Sequence, residues 1–446
     1  MKFSRANSYQ RPWLMLSIVT VTVGIASGLG GMGLGLLLRL VEHITYGYSL
    51  HTIRSGESFL QGVTAASDLR RFLALSACGA VAGVGWWLLY RFGKSLVSIS
   101  QAVREDGPRM PSLATIVHAV LQIVTVGLGS PLGREVAPRE FGAVLATRLS
   151  ERTDLSPEYT RIMIACGAGA GLAAVYNVPL GGTLFTLEVL LGTFNFSALI
   201  PALTTSVIAT VVAWLGLGNA PQYVIPPLAS STSLIAWSIP MGPVFGLAAY
   251  LFVWATGAAR MHAPKDWRLP AWCAVVFPII GLLAIRFPQL LGNGKGLAQA
   301  GFENDVGLGL AAMLLLLRLL VIIGALRAGA TGGLLTPGLS IGGLLGIISG
   351  SLWNHGWPSG SLGAFAIVGS AAFLASSMKM PLTAIVLTLE FTRAGHDFLV
   401  PISLAVAGSF SVFHLCTQHA FGRRQKATTA DPPAVSPQAV PVEVLD

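Results

Sequence analysis

Pro179–Glu188, PLGGTLFTLE, returns 202 residues later as Pro381–Glu390, PLTAIVLTLE, with Pro-Leu at the start and Thr-Leu-Glu at the end of each. A second pair lies upstream of the first: Gly133-xxxx-Pro138 is answered by Gly332-xxxx-Pro337, at an offset of 199. Two independent matches at nearly one offset indicate an internal repeat. Its halves span about 13–200 and 233–410.

What surrounds the repeat fixes its solvent. The 446 residues are 53% hydrophobic and 11% charged, with a mean hydropathy of +0.69, far from soluble composition. Apolar runs recur at Trp13–Leu38, Phe72–Tyr90, Ser197–Gly218, Ser233–Ala259, Leu308–Ala325 and Phe398–Cys416. Several approach the ~20 residues a helix needs to cross hydrocarbon. The 52 glycines and 25 prolines fall within apolar stretches as well as between them. Such broken backbone survives at membrane depth only where it lines a cavity or is buried in protein. The expected fold is therefore an all-α polytopic membrane protein with an inverted-topology repeat and broken helices, a design that puts the solute site near the midplane.

The most unusual stretch is Gly127–Ala143, GLGSPLGREVAPREFGA, where Arg134, Glu135, Arg139 and Glu140 follow a nearly uncharged run. Charges at membrane depth are costly and mark function. The glycines before Glu135 and Pro138 after it predict a helix starting inside the membrane, its free N–H groups turned to a cavity. That is an anion site made of backbone, with the Glu135 carboxylate at its mouth. The alternative is a capping or arginine-paired glutamate at the membrane surface. Gly332–Pro337 is the partner segment; lacking an acid, it offers the N–H groups of Leu334 and Leu335.

The remaining features are plainer. Lys94, Ser95 and Ser98 in Gly93–Ser98 could face an anion, or serve as a helix cap with a snorkelling lysine. His118 sits in a span at Ser112–Gly129, as a packing residue or a proton relay. Cys78, Cys166, Cys273 and Cys416 lie far apart with no metal or disulfide spacing. No cofactor motif is present, and no basic stripe interleaved with aromatics suggests nucleic acid. Lys2, Arg5 and Arg11 precede the first span and Arg423, Arg424 and Lys426 follow the last, which places both termini in the cytoplasm. Residues 1–12 are a short lead, 13–422 a membrane domain, and 423–446 a disordered tail with no regulatory domain.

These residues together resemble the CLC family of chloride channels and proton-coupled chloride antiporters, over roughly residues 13–420. Gly133-Arg134-Glu135 looks like the start of the family's GREGP segment, whose glutamate is the external gate. GAGAGLAAVYNVPLGGTLFTLEV is similar to its Gly/Ala-rich helix, and Gly333-Leu334-Leu335-Thr336-Pro337 to its GxFxP anion-binding motif. Arg318 also stands where the family carries an arginine. The chain departs from the pattern at the family's GSGIP serine, where it has Lys94 with Ser95 adjacent. No tyrosine is evident near the C-terminal end. Where antiporters carry a second, proton-passing glutamate the chain has Val189 after Glu188, as in the family's channel members.

The resemblance implies transport of a small anion, chloride above all, through a pore in each subunit of a homodimer, gated by protonation of Glu135. Anion-binding residues would be Lys94, Ser95, Arg134, Val136, Leu334 and Leu335, with Glu188 and His118 as candidates for a proton path. Obligatory proton/chloride exchange, or transport of another anion such as fluoride, are the alternatives. The setting expected is the bacterial inner membrane, with no metal, no cofactor and no enzymatic activity.

Overall fold

A computed structural model describes residues 6–47, 59–105, 107–153, 155–357 and 361–430. The chain begins with α1 (Ala6–Tyr46), α2 (Phe59–Ala65), α3 (Asp68–Phe92), the single turn α4 (Ile99–Ala102) and α5 (Ser112–Gly127). There follow α6 (Val136–Ser150), α7 (Pro157–Tyr176), α8 (Pro179–Phe185) continued by a π-helical turn at Thr186–Leu191, and α9 (Phe196–Leu217). The second half repeats the order with α10 (Thr232–Met261), α11 (Arg268–Arg286), α12 (Lys295–Phe302), α13 (Leu308–Arg327), α14 (Leu335–Gly356), α15 (Leu362–Ser377), α16 (Pro381–Thr392) and α17 (Leu399–Ala430). The helix α17 thus includes residues 423–430 of the expected tail, and 431–446 lie outside the described residues.

Local chemistry sets these boundaries. Ser67, Ser156, Asn195 and Ser231 cap α3, α7, α9 and α10 by accepting N–H bonds from the third residue onward, as short polar side chains do at helix starts. Pro157, Pro179 and Pro381 occupy first turns, where a missing N–H costs nothing. Asn177 and Lys379 take left-handed φ values of 58° and 54° just before the Pro179 and Pro381 segments, so the chain turns alike in both halves.

Among the described residues, eight helices are long and apolar enough to cross a membrane. Others are not: the 15 residues of α6 rise about 22 Å and the 12 of α16 about 18 Å, short of a ~30 Å hydrocarbon core. These short helices lie inside the protein, where their ends can be satisfied. The helix α15 is buried without a break from Gly363 to Ser376, and α7 from Ile162 to Tyr176. Their small residues let neighbours come close; a Cβ on Gly167 would collide with the carbonyl of Gly142 across α6 and α7. Leu203, Val207, Val211 and Trp214 of α9 and Ile239, Leu247, Leu251 and Trp254 of α10 are exposed, the apolar exterior that lipid requires.

The halves are built alike and joined at their centre. In each, α6 or α14 packs on α7 or α15, and α1 or α10 packs on α9 or α17; α3 packs on α11 and α8 on α16 across the halves. Among the described residues there are no β-strands, only an antiparallel bridge between Gly133 and Gly333. The fold is the all-α polytopic membrane architecture with an inverted repeat and broken helices.

Candidate functional site

The site forms where the two repeats meet. In the first half the chain leaves α5 through Gly129, at φ 106°, and Ser130 donates its N–H to Thr125 O at 2.9 Å. In the second it leaves α13 through Gly329, at φ 100°, and Ala330 donates to Ala325 O at 3.1 Å. The two segments then meet in a single bridge: Gly133 N–H donates to Gly333 O at 2.7 Å, and Gly333 N–H to Gly133 O at 2.9 Å. This pairing has an offset of 200, one more than the Gly–Pro spacing. The reason is a single residue: Arg134 and Glu135 separate Gly133 from α6, whereas Leu334 alone separates Gly333 from α14.

That extra residue places Glu135 at the cap of α6 and sends its carboxylate across to α14. Glu135 is fully buried. Its Oε1 accepts the Leu335 N–H at 2.5 Å, and its Oε2 accepts the Tyr176 hydroxyl at 3.4 Å. The Tyr176 oxygen also lies 3.3 Å from Thr336 Oγ1. A Cβ added to either Gly133 or Gly333 would overlap the Glu135 side chain before anything else, so the carboxylate lies in a slot walled by two glycines. An ionised carboxylate at the amino end of a long helix is favoured by the free N–H groups and by the helix dipole. The same N–H groups and helix dipole favour negative charge of any kind at that point.

Several arginines shape the surroundings. Arg139 donates from Nε to Glu135 O at 3.1 Å, its guanidinium 4.9 Å from the Phe185 ring centre. The Arg134 guanidinium stands 5.2 Å from the Tyr176 ring. Glu42, near the end of α1, interacts electrostatically with three cations, Arg134, Lys295 and Arg39. Arg318 is fully buried and bonds no acid; it donates to Leu290 O at 2.8 Å, Gly292 O at 2.9 Å and Pro131 O at 3.1 Å. It thereby ties the segment that leads to Gly133 to the lead of α12. Arg318→Lys replaces a planar fork with one ammonium and frees carbonyls at about 1–3 kcal/mol each. A melting midpoint lowered by several degrees in detergent is the expected result, and an unchanged midpoint would remove this role.

The sequence-derived residues divide into two groups. Glu135 and Leu335 meet directly, Arg134 and Val136 flank Glu135, and Leu334 immediately precedes α14. Lys94 and Ser95 are exposed on the segment between α3 and α4 and make no hydrogen bond to the Glu135 carboxylate. Glu188 is engaged elsewhere: it accepts from Leu382 N at 3.0 Å, Thr383 N at 2.7 Å and Thr383 Oγ1 at 2.6 Å. Glu390, its repeat counterpart, accepts from Leu180 N at 3.0 Å and Gly181 N at 2.7 Å. The two glutamates of the opening motif thus cap each other's helix starts across the halves. His118 is buried, its Nδ1 2.9 Å from Glu140 Oε2 and its Nε2 3.2 Å from Thr331 Oγ1.

Sequence reasoning missed Tyr176 and Thr336, the hydroxyls at the site. The available signal was Tyr176 itself, a phenol ending an otherwise Gly/Ala-rich helix. Among the described residues no group of three or more His, Cys, Asp or Glu is placed to hold a metal ion.

Comparison with known proteins follows the same lines. A family model described as voltage gated chloride channel matches residues 74–414. A protein of Citrobacter koseri named voltage-gated ClC-type chloride channel ClcB is 29% identical over 348 residues, covering 75% of this chain and 82% of its own. The H(+)/Cl(-) exchange transporter ClcA of Klebsiella pneumoniae is 29% identical over 355 residues, 76% of this chain and 75% of its own. Among solved structures, a slow cyanobacterial Cl-/H+ antiporter superposes with a TM-score of 0.78 at 21% identity, over 94% of this chain and 99% of its own. A CLC-type fluoride/proton antiporter gives 0.64 at 21% identity, over 90% and 97%.

Proposed function

Because the chain belongs to the voltage-gated chloride channel family, we propose that it carries a small anion, chloride first, across the bilayer along a path through the Glu135 slot, with Glu135 as its gate. The observation that carries this is the 2.5 Å bond from Leu335 N–H to Glu135 Oε1. The carboxylate stands as a tethered anion where the free anion would bind. When ionised it occupies the site; when protonated it loses the charge that holds it there, and the solute takes its place.

The other residues then have ordered roles. Leu334 and Leu335 supply N–H groups from the α14 side, and Val136 from the α6 side, replacing part of the ion's hydration shell. Tyr176 and Thr336 supply hydroxyls. Arg134, beside Glu135, and the exposed Lys94 add positive potential that concentrates anions, and Ser95 adds a hydroxyl next to Lys94. The subunit is one membrane domain of two repeat halves and pairs with a second copy in the lipid bilayer, each copy with its own path. Transport, not bond-making chemistry, is the activity.

Chloride efflux from proteoliposomes, with fluoride, bromide and nitrate as competitors, tests the assignment. Protein-dependent chloride efflux that bromide slows is expected. Vesicles that retain chloride while releasing another anion would reassign the solute, and vesicles that retain every anion would end the proposal.

A further inference from the structure

His118 and Glu140 form a buried acid–base pair that the gating scheme leaves unused. Their side chains are 8% and 12% exposed, with Nδ1 and Oε2 2.9 Å apart. The pair sits within a helical hairpin whose open end is fixed by the 2.7 Å bond from Arg148 Nε, near the end of α6, to Ser112 Oγ, at the start of α5. Arg91, Lys94, Arg104, Arg109, Arg148 and Arg152 gather toward that end in sequence, the signature of the cytoplasmic side. His118 lies six residues, about 9 Å, along α5 from Ser112, and Glu140 five residues, about 7.5 Å, along α6 from Glu135. The pair therefore stands between the cytoplasmic face and the gate.

Its hydrogen bonds suit a group that gains and loses a proton. Gln122 Nε2 is 2.9 Å from His118 Nδ1 and 3.2 Å from Glu140 Oε2, while Gln122 Oε1 is buried with no partner. With Glu140 ionised, the imidazole Nδ1–H and the amide both donate to Oε2, which leaves Gln122 Nε2 and His118 Nδ1 as two donors side by side. With Glu140 protonated, turning the amide over brings Oε1 round to accept the carboxylic O–H, and the orphaned oxygen is satisfied. Other groups face the pair from neighbouring elements. Trp86 of α3 packs edge-on at 6.3 Å between ring centres, and Tyr90 of α3 interacts electrostatically with Glu140. Thr331 accepts or donates at His118 Nε2, and Arg260 of α10 donates to the next carbonyl, Gly332 O, at 3.2 Å.

We propose that His118 and Glu140 are the inner proton-holding station of this chain, so that anion movement is coupled to proton movement. A proton from cytoplasmic water is taken up by the pair and passed to a Glu135 carboxylate oxygen; the pair returns to its starting charge, and Glu135 becomes neutral and leaves the slot. This rests on the proposed function and completes it. Val189 binds no proton, and the Glu188 carboxylate is committed to three donors, so the residues at the more obvious position do not serve. Among the described residues, the pair combines burial and titratable chemistry with a place between α5 and α6 on the cytoplasmic side of Glu135.

The test uses proteoliposomes loaded with chloride, with chloride and proton electrodes in one cell. In the wild type, proton uptake is expected to accompany chloride efflux. In Glu140→Gln and in His118→Asn, chloride efflux is expected to continue while proton uptake falls at least about tenfold, the scale on which removing a positioned proton carrier acts; Glu140→Asp is expected to restore uptake. Wild-type chloride efflux without proton uptake overturns the inference and leaves the gate standing. Uptake that persists in both variants overturns it as well. So does loss of chloride efflux with proton uptake in both, which would mean that the pair holds the path open and carries no proton. Absence of chloride efflux from the wild type would remove the anion pathway itself.

Discussion

Glu135→Gln is expected to raise chloride efflux at neutral pH and to flatten its rise in acid. In the wild type the closed state holds an ionised carboxylate at Leu335 N–H, and a bond to a charged acceptor is worth about 1.5–3 kcal/mol against about 0.5–1.5 for a neutral one. Glutamine nearly keeps the shape and loses the charge, so the closed state weakens by about 1–1.5 kcal/mol, roughly tenfold in population. The sign of the pH effect follows from which form closes the site. Under the proposed mechanism the ionised form closes it, so lowering pH opens it, and a side chain that cannot titrate has nothing left to respond with. Efflux in pH-clamped proteoliposomes reads both effects, and wild-type-like efflux with an intact acid response would show that Glu135 is not the gate.

Gly333→Ala is expected to act in the opposite direction, and more severely. The three nearest atoms to a Cβ at Gly333 all belong to the Glu135 side chain, and the first of them is Oε1, the atom that accepts Leu335 N–H. If chloride binds where that oxygen stands, the methyl group excludes the anion as well as the gate. Overpacking of this kind costs about 1–3 kcal/mol, so efflux should fall roughly ten- to a hundredfold. The double variant Glu135→Ala with Gly333→Ala separates the two effects. Under the proposed mechanism it stays slow, because the methyl still occupies the anion's place; recovery of efflux would mean that chloride passes somewhere else.

How much of this was readable beforehand depends on distance along the chain. The repeat was legible because proline, leucine and glutamate recur at fixed spacing, and with it the broken-helix fold. Glu135 was legible because a carboxylate among glycines at membrane depth has few uses. The meeting of Glu135 with Leu335 followed once the repeat was seen. The one-residue difference between the halves did not, since the offset of 199 correctly aligns the starts of α6 and α14 but not the glycines ahead of them. The π-turn at Thr186–Leu191 hides a similar extra residue: Pro179 to Gly192 is one longer than Pro381 to Arg393, yet both segments end in left-handed backbone.

Side-chain partners from distant segments were the illegible part. Nothing local says that Glu188 bonds residues 382 and 383, or that Tyr176, which could equally be packing, turns its hydroxyl to Glu135. His118 was noticed as a lone histidine. Its acid, Glu140, lay in the charged stretch already singled out, 22 residues away, and only the antiparallel hairpin of α5 and α6 brings them together. Lys94 and Ser95 followed from alignment with a binding serine, but spacing along a chain cannot fix the direction of a side chain in a non-helical segment.

The central claim is that a free anion and the Glu135 carboxylate share one place, between Gly133 and Gly333 at the amino end of α14. Crystals of Glu135→Gln soaked in bromide, with diffraction collected at the bromine edge, address it directly. An anomalous peak within hydrogen-bonding distance of Leu335 N, at the position of the wild-type Glu135 Oε1, is the predicted result. Bromide bound elsewhere along the chain, with that slot empty of anomalous signal, would contradict it.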